Sequence, residues 1–153
     1  MSAATQEEYQ LLVAQAQALI AGEDDWVANT ANLSALLFNN LHEVNFAGVY
    51  RLKDGELILG PFQGQPACVH IQIGKGVCGT VAKNLKSEIV PNVHQFSGHI
   101  ACDSNTNSEI VLPILDSKGN LWGVFDFDSP KLNNFNEVDE KYLAQISANI
   151  FNK

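Results

Sequence analysis

Three cysteines and a set of three carboxylates are the residues of this chain whose types and spacing could do chemistry. Cys102 sits in the polar stretch SGHIACDSNTNSEIVLPI, residues 97–114, and the apolar run there begins only after Glu109. A structural cysteine behaves as a small hydrophobe and belongs in an apolar run. The polar setting of Cys102 therefore points to a reactive thiol, and a nearby imidazole, here His99, favours the nucleophilic thiolate. Cys68, in QPACVHI, falls on a strand-like segment and is ambiguous between packing and reaction. Cys78, in GKGVCGTVA among Val77, Gly79 and Val81, reads first as a packed residue.

The carboxylates Glu109, Asp126 and Asp128 belong to the clearest hairpin of the chain, SEIVLPILDSKGNLWGVFDFDSP, turned at Ser117-Lys118-Gly119-Asn120. Pairing Asp116 with Leu121 across that turn sets Glu109 opposite Asp128 and Val111 opposite Asp126. Side chains two apart on a strand share a face, so the three acids project from one face and Phe125 and Phe127 from the other. Any one of these acids, taken alone, reads as a solvated strand end. Three on one face oppose stability, because like charges directly opposite destabilise a sheet pair, and they call for a cation. An ammonium group on a small substrate suits them better than Ca²⁺ or Mg²⁺, for which no metal-loop spacing is present. A carboxyl buried among acids also keeps its proton and can serve as a general acid. No cysteine pair has zinc-site spacing and His94 with His99 fits only weakly, so no metal is expected.

The elements that must position these groups read as follows. Residues 5–20 form a helix stopped at Gly22, and residues 24–42 form a second, with Trp26, Leu33, Leu36, Leu37 and Leu41 along one stripe. Strands near 46–52 and 56–62 flank an Asp54-Gly55 turn. ACVHIQI alternates like a strand, GVCGTVAKN is a short helix, SEIVP a short strand, and residues 136–151 a closing helix with Asn136 as N-cap. The stretch GKGVCG matches a dinucleotide-binding fingerprint literally. It lies mid-chain in antiparallel surroundings and no acid follows at the required distance, so it reads as a strand-to-helix turn. Helices at both ends around a mainly antiparallel sheet of about six strands make the class α+β.

The chain has 153 residues, the size of one domain, and 46% hydrophobic residues in short stretches. A net charge of −8 with scattered Lys and Arg argues against nucleic acid and anionic membrane as partners. MSAATQEEYQ has no basic start followed by an apolar stretch. The expected compartment is the cytoplasm, where cysteines stay reduced unless they are catalytic or redox-sensing.

Together, LGPFQGQPACVHIQIGKGVCGT, GHIACDSNTNSEIVLPI and GNLWGVFDFDSP resemble the free methionine-(R)-sulfoxide reductase family, built on a GAF domain. The resemblance implies a single GAF-like domain over residues 1–153 and the reduction of free L-methionine (R)-S-oxide to L-methionine. It makes Cys102 the nucleophile, Cys68 the main resolving cysteine and Cys78 a secondary thiol. The intermediates are a sulfenic acid and then an intramolecular disulfide. Thioredoxin, fed by NADPH through thioredoxin reductase, restores the dithiol, and no cofactor is bound. Glu109, Asp126 and Asp128 grip the substrate ammonium, with Glu109 also supplying a proton. The family's NWxGxY pattern reads NFAGVY here, which puts Phe46 in the place of Trp and Tyr50 on the same strand face. A homodimer through the terminal helices follows from the same analogy, and the polar composition of residues 93–108 suits a lid over the substrate. Two other readings share the residues: a non-catalytic GAF module that binds a small molecule, and a thiol redox sensor that has no need of the acids.

Overall fold

The computed structural model describes residues 1–99 and 102–152. Helix α1 (Gln6–Ile20) starts at Thr5, whose hydroxyl accepts from the Glu8 amide while the Glu8 carboxylate accepts from the Thr5 amide. This reciprocal capping box satisfies two amides that the first turn leaves unpaired. Helix α2 (Trp26–Asn40) is capped by Asp25, and Leu33 and Leu37 of its predicted stripe are fully buried. Strands β1 (Phe46–Lys53), β2 (Glu56–Gly64), β3 (His70–Gln72), β4 (Glu88–Val90), β5 (Ser108–Leu115) and β6 (Leu121–Ser129) form one antiparallel sheet. Their order is β3-β2-β1-β6-β5-β4. Helix α3 (Gly76–Asn84) joins β3 to β4, and α4 (Glu137–Asn149) closes the chain from its Asn136 cap. The class is α+β, as expected.

Period-two alternation divides the sheet into two unlike faces. One carries Ala47, Val49, Ile110, Leu112, Ile114 and the stacked pair Phe125–Phe127, and α1, α2 and α4 cover it. Burying each large apolar side chain contributes ~1.5–3 kcal/mol, so this face supplies most of the driving force for folding. Asp139, at the start of α4, ties the N-terminal segment to the layer by accepting from the Ala3 amide at 2.8 Å and the Tyr9 hydroxyl at 2.5 Å. The other face carries Phe46, Tyr50, Val111 and Val124 under α3, and it is the face that can hold polar groups without loss of the main core.

The hairpin register agrees with the sequence reading from Ser108 to Ile114, including Glu109 opposite Asp128 and Val111 opposite Asp126. Next to the turn it differs. A bulge pairs Leu121 with Leu115 rather than Asp116. Asp116 is instead taken up by the turn, where its carboxylate accepts from the Lys118 and Asn120 amides. The strand expected over ACVHIQI is also shorter, only His70–Gln72, because residues 65–68 leave the sheet to enter the site. The GKGVCG stretch is the turn it was read as. Gly76 has φ +63°, and a Cβ at Gly79 would overlap the carbonyl oxygen of Gln72, so helix and strand approach closely around glycine with no parallel βαβ unit.

Candidate active site

The site lies on the polar-tolerant face, between the sheet and α3. On β6, Asp126 stands opposite Gly48 of β1, and Asp128 stands opposite Phe46. A Cβ at Gly48 would overlap that of Phe62, so glycine there lets β2 close tightly on β1 beside Asp126. Glu109 enters from β5 opposite Asp128. A cavity of about 50 Å³ is lined by Phe46, Tyr50, Cys78, Cys102, Glu109, Asp126 and Asp128, and by His99, Lys75 and Thr106. That is several times the room one water molecule needs.

Glu109 and Asp126 are only 7% and 5% exposed, and Asp128 is half-buried. The Oδ1 atoms of Asp126 and Asp128 are covered and have no hydrogen-bond partner among the described residues. Among the described residues none of the three acids is ion-paired. Burial pushes the Glu109 carboxyl well above its ordinary value, and the charges of Asp126 and Asp128 push it further. Burial likewise raises Asp128, reinforced by Asp126. Asp126 is raised by burial and drawn partly back by the side chains of Glu109, Asp128 and Cys78. A buried acid cluster of this kind holds protons and presents oxygen acceptors to an incoming cation.

Cys68 and Cys102 are joined in a disulfide with their Cα atoms 5.5 Å apart. Cys68 therefore lies on the loop before β3, not on an apolar strand, and the Tyr50 hydroxyl donates to its carbonyl at 3.0 Å. Cys78 is free and buried on α3. Burial drives its thiol well up, and the charges of Asp126 and Glu109 add to the effect, so Cys78 is a protonated thiol and a poor nucleophile.

The structure brings Cys68, Cys78, Cys102, Glu109, Asp126, Asp128, Phe46 and Tyr50 to one place. The His99 ring lines the cavity with Cys102, and burial and the neighbouring His94 lower its pKa, which favours the neutral imidazole. Phe46 serves two purposes. It is 5% exposed in the core on this face, and it stacks on Phe62 at 5.4 Å while walling the cavity. Sequence reasoning missed Lys75 and Thr106. The only signal for Lys75 was its place in the glycine turn. Thr106 is 5% exposed with an unpartnered hydroxyl, and its polar loop hid it among similar residues. Of the segment expected to act as a lid, Ile100 and Ala101 lie outside the described residues.

Comparison with known proteins agrees with this geometry. A GAF-domain profile matches residues 29–150. The free methionine-R-sulfoxide reductase of Escherichia coli is 48% identical over 133 residues, covering 87% of this chain and 80% of that protein. The structure of fRMsr of Staphylococcus aureus in its reduced form superposes with a TM-score of 0.90 at 50% identity, covering 93% of this chain and 92% of that one. The free methionine-R-sulfoxide reductase of Neisseria meningitidis, solved in complex with its substrate, gives a TM-score of 0.90 at 36% identity, over 98% and 91% of the two chains. The chain belongs to the GAF-domain family of free methionine-R-sulfoxide reductases.

Proposed function

We propose that this chain, acting as one GAF-like domain over residues 1–153, reduces the (R)-sulfoxide of free L-methionine to L-methionine. The observation that carries the reading is a cysteine disulfide, Cys68–Cys102, beside a buried cluster of acids in which the Oδ1 atoms of Asp126 and Asp128 lack partners among the described residues. In the reduced protein the Cys102 thiolate attacks the sulfoxide sulfur. Glu109, kept protonated by burial, gives its proton to the sulfoxide oxygen. Methionine departs and Cys102 is left as a sulfenic acid. The Cys68 thiol then attacks that sulfur, water leaves, and the disulfide forms. Two thiols and one sulfoxide thus become one disulfide, one thioether and one water. The dithiol of thioredoxin, recharged from NADPH by thioredoxin reductase, restores the pair by exchange in the cytoplasm, where thiols are kept reduced.

Asp126, Asp128 and Glu109 receive the substrate ammonium, and Phe46 and Tyr50 wall the side chain. Lys75, the N-cap of α3, makes no side-chain hydrogen bond to the helix. The first amides of that helix are suited to the substrate carboxylate. A free amino acid offers both charges, and a residue within a peptide offers neither. Cys78 remains an auxiliary thiol. Two copies pairing through the terminal helices would cover Leu11 and Leu19, which stand exposed on α1.

The test is NADPH consumption with thioredoxin and thioredoxin reductase on separated R and S sulfoxides of free methionine and of a blocked peptide. The expected result is turnover of the free R form alone, abolished by Cys102→Ser and strongly reduced by Glu109→Gln. Folded protein that turns over none of them overturns the reading. Cysteine oxidation that survives all three acid substitutions would favour a redox sensor.

A further inference from the structure

Cys78 is the one thiol that the reaction above does not require, yet it stands on the acid cluster. One ligand atom each from Cys78 of α3, Glu109 of β5 and Asp126 of β6 lie within 4.8 Å of one another, and all three residues are buried. An ammonium group asks for oxygen acceptors, and a thiol sulfur is a weak one. Packing accounts for the burial of Cys78. It does not account for Asp126, a residue that lines the same cavity, is 5% exposed, and has an Oδ1 with no hydrogen-bond partner among the described residues. Nor does any described residue neutralise the cluster by ion pairing.

The donor set selects among cations. Ca²⁺ and Mg²⁺ take oxygen ligands in six or more positions, and this set holds a sulfur and only three residues. One thiolate and two carboxylates suit a four-coordinate zinc-class ion with one position left open. Bonds of ~2.3 Å to sulfur and ~2.0 Å to oxygen set tetrahedral ligands roughly 3.2–3.5 Å apart. Donors within 4.8 Å of one another need to close by at most about 1.6 Å, a movement within reach of side-chain rotamers.

We infer that Cys78, Glu109 and Asp126 form a binding site for one thiophilic divalent cation of the zinc class. On loading, the Cys78 proton and the protons held by the Glu109 and Asp126 carboxyls pass to solvent, the sulfur binds as thiolate and the carboxyls as carboxylates, and no electron is transferred. The site does not depend on the other two cysteines, which are tied to each other in the disulfide. Cation and substrate ammonium then exclude one another, because both need Glu109 and Asp126. That last consequence alone rests on the reductase reading.

The disulfide form makes the test specific, because the chain has three cysteines and Cys78 is then its sole thiol. Oxidised protein is titrated with Cd²⁺ while the ultraviolet sulfur-to-cadmium charge-transfer band is followed, and with Zn²⁺ against a chromophoric chelator. The expected result is one ion per chain with the band present. The band is lost in Cys78→Ser, and Zn²⁺ affinity falls about tenfold or more in both Cys78→Ser and Asp126→Asn. Asp126→Asn keeps the thiol in place, so a folding defect at position 78 does not decide the outcome. A titration of the unsubstituted protein without the band, or Zn²⁺ affinity unchanged in both variants, overturns the inference. Neither readout involves turnover, so failure here is distinct from failure of the reductase reading.

Discussion

At the scale of single residues, Glu109 carries a cost that pH reveals. Its folded pKa is raised by burial and by Asp126 and Asp128 above the ordinary 4.5. The folded state therefore holds a proton that the unfolded chain has lost, and unfolding releases it. Stability then falls as pH climbs from the ordinary carboxylate range toward the raised folded value. Glu109→Gln removes that dependence. Urea melts should show the variant more stable than the parent by about 1 kcal/mol at about pH 8, with the advantage gone near about pH 4. Equal stability of the two proteins at both pH values would show that Glu109 is not penalised by its surroundings. The same substitution should cost most of the turnover, so the residue that weakens the fold is the one the chemistry needs.

At the scale of elements, the site depends on β1 lying close between β6, which carries Asp126, and β2. Gly48 stands opposite Asp126, and its lack of a Cβ lets β2 close in through Phe62. Gly48→Ala would force β1 and β2 apart at that point. Overpacking of this kind costs ~1–3 kcal/mol, so thermal melting should drop by roughly 2–9 °C for a chain of this length. The Michaelis constant for methionine sulfoxide should rise with it, because the displaced strand carries Phe46 and Tyr50. Unchanged melting and kinetics would mean that the β1–β2 bulge beside Gly48 absorbs the methyl group. The α3 turn works in the same way. Gly79 lets the helix settle against β3, and that placement hangs Cys78 over the acids.

At the scale of the whole molecule, the apolar layer under α1, α2 and α4 supplies the stability that the site face spends. The disulfide adds to it in the oxidised form. Cys68 and Cys102 are separated by 34 residues, and a cross-link closing a loop of that size contributes about 3–4 kcal/mol by restricting the unfolded chain. Reduction should therefore lower the denaturation free energy by up to that amount. A Cys68→Ser protein should match the reduced parent. A loss well under 1 kcal/mol would show that the native state gives back what the cross-link adds.

Much of this was legible in the chain itself, for reasons that can be named. A short turn and strict alternation allow one register for the last hairpin that buries Phe125 and Phe127. That register forces Glu109, Asp126 and Asp128 onto the opposite face. The cap at Asn136 and the stripe of Leu33 and Leu37 placed their helices by equally local rules. Three matters needed the tertiary structure. Cys68 leaves its strand because its partner lies 34 residues away, a distance at which local alternation has no influence. The His99 pKa is lowered first by burial, which packing sets and local spacing does not. Cys78 reads as an apolar packing residue in its own segment. It becomes part of an acid cluster only where α3 crosses β5 and β6, since contacts between distant elements are decided by how the layers pack, which no local spacing encodes.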